Sequence, residues 1–150
     1  MEQSLPSVRM NQFLAQLNRK PRKITMTSVV HAASTFIGEP IKVVRKGDTG
    51  WSKLTGAAVR FNFGWIIFVR RSDSTLYQNH VILHEISHLV SEHPSCGIYS
   101  HALQLNQGIF TRSVDEVEDP IRVEREAEAG AYRLASLMLT RLSEAEEITL

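Results

Sequence analysis

A single cysteine, Cys96, stands among 150 residues, which excludes a disulfide framework and any four-cysteine zinc site. Long apolar runs are missing too. The longest, Trp65 to Val69, falls far short of the roughly 20 residues that cross a bilayer. The opening Met1-Glu2-Gln3-Ser4-Leu5-Pro6 has no basic region leading into an apolar stretch, so no export signal is read and a cytoplasmic protein is expected. There is no internal repeat, low-complexity tract or linker. Apolar residues at 43% and charged residues at 22% exclude a disordered or collagen-like chain. The length predicts one domain over residues 1–150, large enough to bury a core without staples.

The net charge of +1 conceals a division: residues 1–71 carry +9 and residues 72–150 carry −8. Such a split can mark a surface for nucleic acid, but two oppositely charged halves also attract each other and solvate a fold. The Arg19-Lys20-Pro21-Arg22-Lys23 cluster reads as a solvated loop.

Met10, Phe13, Leu14 and Leu17 fall at helical spacing, with Ser7 as a cap and Pro21 just past the end. Val29, Val30, Ala33, Phe36 and Ile37 repeat the pattern up to Gly38 and Pro40. Ile41 to Arg45 reads as a strand, and Lys46 to Gly50 as a loop. Ala57 to Phe63 and Trp65 to Arg70 meet at Asn62-Phe63-Gly64 and predict a hairpin, with Val59, Phe61 and Phe63 on its one buried face. Ser72-Asp73-Ser74 offers caps for a helix over about 75–92, which Pro94 stops. Residues 94–119 look irregular, with a weak helical tendency from Tyr99 to Leu105. Asp119-Pro120 starts a last helix reaching about Leu142. The order predicts an α+β fold in which a small antiparallel sheet packs on helices.

His84-Glu85-Ile86-Ser87-His88 is an HExxH sequence inside the helix over 75–92. Residues four apart share a helix face, so both imidazoles can reach one ion. Glu85 is one position round, beside the ion, where it can take a proton from water that zinc has acidified toward a pKa of about 7. A catalytic zinc wants a third protein ligand. His93 is not at metzincin spacing, and His80 lies about 12 Å from His88 along the helix. The better donor is in the last helix, where Glu124-Arg125-Glu126-Ala127-Glu128 sets Glu124 and Glu128 on one face with Ala127 and Ala131. Small residues there let a second helix approach. Glu124 is expected to ligate the metal and Glu128 to orient a histidine through its other ring N–H. Manganese or iron could load the same donors as zinc. Tyr99, His101 and Tyr132 are candidate stabilisers of an oxyanion.

The segment from Val81 to Val90, followed by Glu124-Arg125-Glu126-Ala127-Glu128 and the apolar Leu134 to Leu139, resembles the ImmA/IrrE-type zinc metallopeptidases over roughly residues 40–142. The resemblance implies a zincin-like core over 40–142 behind a helical N-terminal part, 1–39. It also implies His84, His88 and Glu124 as ligands and Glu85 as catalytic base. Leu54-Thr55-Gly56 and the hairpin resemble the family's small sheet more weakly. Glu128 stands where the family commonly has Asn or Asp, Gly130 where it has Phe, and a closing Pro is missing. Glycine inside a helix costs about 1 kcal/mol relative to Ala, so Gly130 reads as a weak point.

The implied function is a zinc-dependent endopeptidase acting on a specific protein, by resemblance a helix-turn-helix repressor. The alternatives are a non-enzymatic zinc module, closed by a fourth ligand such as Asp119 or His101, and a toxin component acting through a partner or binding nucleic acid through the basic half. No recognition helix is evident, so direct nucleic-acid binding is not expected.

Overall fold

The structure, a computed structural model, describes residues 5–21, 23–47, 51, 55–93, 97–99 and 120–148. Helices α1 (Leu5–Asn18) and α2 (Met26–Ile37) precede strands β1 (Ile41–Lys46), β2 (Gly56–Phe61) and β3 (Gly64–Arg70). Helix α3 (Thr75–Ser91), strand β4 (Gly97–Tyr99) and helix α4 (Pro120–Ile148) follow. The α+β class expected from the sequence is present. Helix α1 opens at Leu5, so Ser7 lies inside its first turn and is not its cap. The Tyr99–Leu105 tendency lies, apart from the Tyr99 backbone, outside the described residues.

The ends of α2 follow local chemistry. Thr25 and Ser28 exchange side-chain-to-backbone hydrogen bonds as a capping box, and Gly38 closes the helix at φ 75°. The chain then enters a sheet ordered β1-β3-β2-β4. Here the expected antiparallel sheet needs correction. Among the described residues only β2 and β3 pair antiparallel, while β1 runs parallel to β3 and β4 parallel to β2. The reason is insertion. The hairpin folds back so that β3 lies between β1 and β2, and the Trp65 N–H donates to the Pro40 carbonyl at 2.8 Å. Any Cβ at Gly64 would overlap that carbonyl oxygen. Alternation in sequence gives the faces of a strand, not its neighbours.

The single buried face expected for β2 is also corrected. Gly56 to Val59 are buried throughout. Ala58 faces the helices, while Ala57 and Val59 pack with Trp51, Phe61 and Phe68 on the other side. Phe63, at the hairpin tip, is exposed.

Helix α3 is the centre of the molecule, packed against α1, α2, α4, β2 and β3. Ile82, Ile86 and Val90 join Phe13 and Leu17 of α1, Val29 and Ala33 of α2, Ile67 and Val69 of β3, and Leu134 of α4. Both ends of α3 are pinned. The buried Gln78 amide donates to the carbonyls of Arg70 and Asp73 at 2.9 Å each, and its oxygen accepts from Arg45 Nε at 2.9 Å. At the far end, Arg9 Nε donates to the Val90 carbonyl at 2.8 Å. A cation there also opposes the negative end of the helix dipole.

Helix α4 crosses α3 along Val123, Ala127, Gly130, Ala131 and Leu134, all buried. Gly130 is a requirement of this crossing and not a weak point. A Cβ there would overlap Ser87 Oγ and lie 3.0 Å from Met10 Cε. Gly130→Ala gains about 1 kcal/mol of helix propensity but overpacks the crossing, at the upper end of the roughly 1–3 kcal/mol range. The expected outcome is a net loss of about 1–2 kcal/mol in chemical denaturation. The loss should shrink in a Ser87→Ala background, because Ser87 Oγ is buried with no hydrogen-bond partner.

Candidate metal centre

The crossing brings His84, His88 and Glu124 together. These three form a group that could hold a metal ion, with ligand atoms all within 4.8 Å of one another. His84 Nε2 lies 3.2 Å from His88 Nε2 and 3.0 Å from Glu124 Oε2, and His88 Nε2 lies 3.3 Å from Glu124 Oε1. Donors about 2.0–2.1 Å from a tetrahedral ion stand about 3.3 Å apart. The two ring nitrogens stand at that spacing and each meets a different oxygen of Glu124, so the group fits one small divalent ion held between two imidazoles and a carboxylate. The fit follows from α3 geometry and from small residues on α4: Ala127 and Ala131 are fully buried and let Glu124, one turn earlier, reach across.

Each imidazole offers Nε2 to this group and keeps Nδ1 for a neighbour. His84 Nδ1 lies 2.8 Å from Glu128 Oε2, and Glu128 Oε1 lies 2.7 Å from His80 Nε2. Glu128 thus bridges two turns of α3. The Glu124–Glu128 repulsion on α4 is offset by imidazole between them.

His88 Nδ1 lies 2.9 Å from His93 Nδ1, and His93 Nε2 lies 3.0 Å from Glu126 Oε2. This chain runs one way only when His88 Nε2 is a ligand. His88 Nδ1–H donates to His93 Nδ1, and His93 Nε2–H donates to Glu126. Sequence spacing weighs His93 only as a ligand and does not reveal this placement.

Its cause is the way α3 ends. Glu92 adopts φ 55°, its N–H donates to the Leu89 carbonyl and the His93 N–H to the His88 carbonyl, the Schellman pattern. That pattern stacks the second residue past the helix on the residue five before it, here His93 on His88. Glycine usually marks such a stop; glutamate leaves no signal. The Glu126 partner does have one, since the acidic run offers three carboxylates and the expected site uses only two.

Glu85 is buried, and it lines a cleft of about 1140 Å³ together with His80, His84, Glu124 and Glu128. Tyr132 lies on the same cleft, its ring centroid 5.4 Å from that of His80. Of the other oxyanion candidates, the Tyr99 side chain and His101 lie outside the described residues, as does Asp119.

The charges set the protonation of these groups. Burial lowers the pKa of His84, but hydrogen bonds to Glu124 and Glu128 and the nearby Glu85 charge outweigh it, so the net shift is upward from 6.5. Burial raises the pKa of Glu128, and the His84 and His80 hydrogen bonds more than reverse this, leaving it below 4.5. Burial holds His93 below 6.5 despite its bond to Glu126, in keeping with the neutral ring that the donor chain requires.

This geometry has consequences for metal affinity and for pH. His93→Ala should weaken zinc binding about 10–100-fold, measured by competition with a chromophoric chelator. For pH, protonated His84 stabilises the metal-free fold. That contribution is complete below pH 6.5 and is lost as pH rises through the raised value. A metal must displace the same proton. The gain in Tm on adding zinc should therefore widen from pH 6 to pH 8, and Glu128→Gln should shift that rise to lower pH.

Compared with the models of known protein families, with curated proteins and with solved structures, the chain matches none.

Proposed function

We propose that this chain is a cytoplasmic zinc-dependent endopeptidase of the ImmA/IrrE type that hydrolyses a specific protein. The observation that supports this most strongly is the convergence of His84 and His88 with Glu124, a carboxylate from another helix, around a space fit for one ion. Two imidazoles and a carboxylate match the donors zinc takes in hydrolytic sites that keep one position open. A helix-turn-helix repressor is the substrate implied by the family resemblance.

When bound, the ion supplies Lewis acidity, acidifying water and polarising the scissile carbonyl. The chain's residues do the rest. His84, His88 and Glu124 hold the ion, and Glu128 and His93 fix the two rings. Glu85, on the cleft wall beside His84, accepts the proton from the attacking water and delivers it to the departing amide nitrogen. His80 and Tyr132 border the same space and face the substrate.

The test is Glu85→Gln. The variant should retain about one zinc per chain by metal analysis and lose cleavage of purified helix-turn-helix repressors by at least about 100-fold. Cleavage equal to wild type would sink the mechanism. If neither protein cleaves any repressor or unfolded protein while both hold zinc, the non-enzymatic zinc module replaces this reading.

A further inference from the structure

We infer that the cleft selects a polypeptide segment carrying a large apolar side chain and rejects acidic ones. This rests on the peptidase reading and names the substrate class for that same site.

The first observation is where exposed apolar surface lies. Among the described residues seven large hydrophobic side chains are exposed. Four of them, Leu76, Tyr77, Tyr132 and Leu139, line the cleft, and a fifth, Ile121, borders a second depression that shares His84, Glu124 and Glu128 with it and also carries Arg125. Single exposed hydrophobic residues are ordinary, but their concentration around one concavity marks a binding surface. Leu76 is 83% exposed and Leu139 65%, so neither serves the core that α3 and α4 share.

The second observation is charge. The described lining contains the carboxylates Glu85, Glu124 and Glu128 and no lysine or arginine. A bound divalent ion would neutralise the carboxylates nearest to it. Beyond them the walls carry Met26 from α2, Val81 from α3, and Ala135 and Met138 from α4, with Thr55, Ser74 and Asn79 as uncharged polar neighbours. An aspartate or glutamate entering here would lose its water, find no lysine or arginine among the described lining and face Glu85 and Glu128, the carboxylates that would not ligate the ion. A leucine or phenylalanine would bury its surface beside the histidines. The cleft is continuous with His84 and Glu85, which puts the selected side chain next to the bond to be cut.

The experiment uses the full chain, zinc-loaded, with Glu85→Gln to prevent turnover. Fluorescent peptides differing at one central position, Leu, Phe, Gly, Lys or Asp, are titrated and followed by anisotropy. The Leu and Phe peptides should bind at least tenfold more tightly than the Asp peptide. Leu76→Glu and Leu139→Glu, both exposed and so tolerated by the fold, should each weaken Leu-peptide binding severalfold with zinc affinity unchanged. Equal binding of Leu and Asp peptides, binding of none, or cleft variants that bind as wild type would overturn the inference. If this preference holds and the parent protein with Glu85 intact cleaves none of the peptides, the hydrolytic reading fails and the groove stands. If the parent protein cleaves all the peptides without preference, the groove fails and the hydrolytic reading stands.

Discussion

The close crossing of α3 and α4 is the constraint on which the rest depends. The two helices meet where Gly130 leaves room for Ser87 and where Ala127 and Ala131 present only methyl groups. Without that approach the carboxylates of α4 would point into solvent as an acidic stripe, and the histidines of α3 would be two polar residues on a core helix. The approach turns a repulsive row of glutamates into partners for imidazoles, three carboxylates meeting four rings across one seam. The core supports it from the other side, since Ile82, Ile86 and Val90 of α3 fix the rotation of the helix by burying its far face.

The sheet and the N-terminal helices hold α3 in place and contribute little to the chemistry. Gln78 ties the start of the helix to the turn after β3, and Arg9 ties its end to α1. Gly56 has the same role for β2 that Gly130 has for α4, since a Cβ there would overlap Val81 Cγ1. The scaffold surrounds the helix that carries His84 and His88, and the cleft runs along its His80–Glu85 stretch.

Much of this is legible in the sequence where local chemistry decides structure. The caps at Ser74 and Gly38, the hairpin turn at Asn62-Phe63 and the span of α3 follow from residue types and spacing. So does the pairing of Glu124 with the two histidines, because helical periodicity places side chains on faces and small residues mark where faces can meet. Strand neighbours are not legible, because inserting β3 beside β1 depends on long-range pairing that alternation does not encode. Gly130 misleads for a related reason: helix propensity is a property of one helix, and this glycine serves two. The part played by His93 is hidden because it depends on a left-handed turn at a glutamate, where no sequence rule looks for one.

That turn carries a consequence of its own. The ring of His88 is oriented by a side chain lying beyond the end of its helix, and only a reversal at Glu92 brings it back. The stop of α3 is therefore part of the candidate metal centre. Lengthening or shortening the chain by one residue at this corner would spare the core positions Ile82, Ile86 and Val90 within α3 and still unhook the His88 ring from its support. In homologous chains, indels at this corner should be rarer than its surface position alone would suggest.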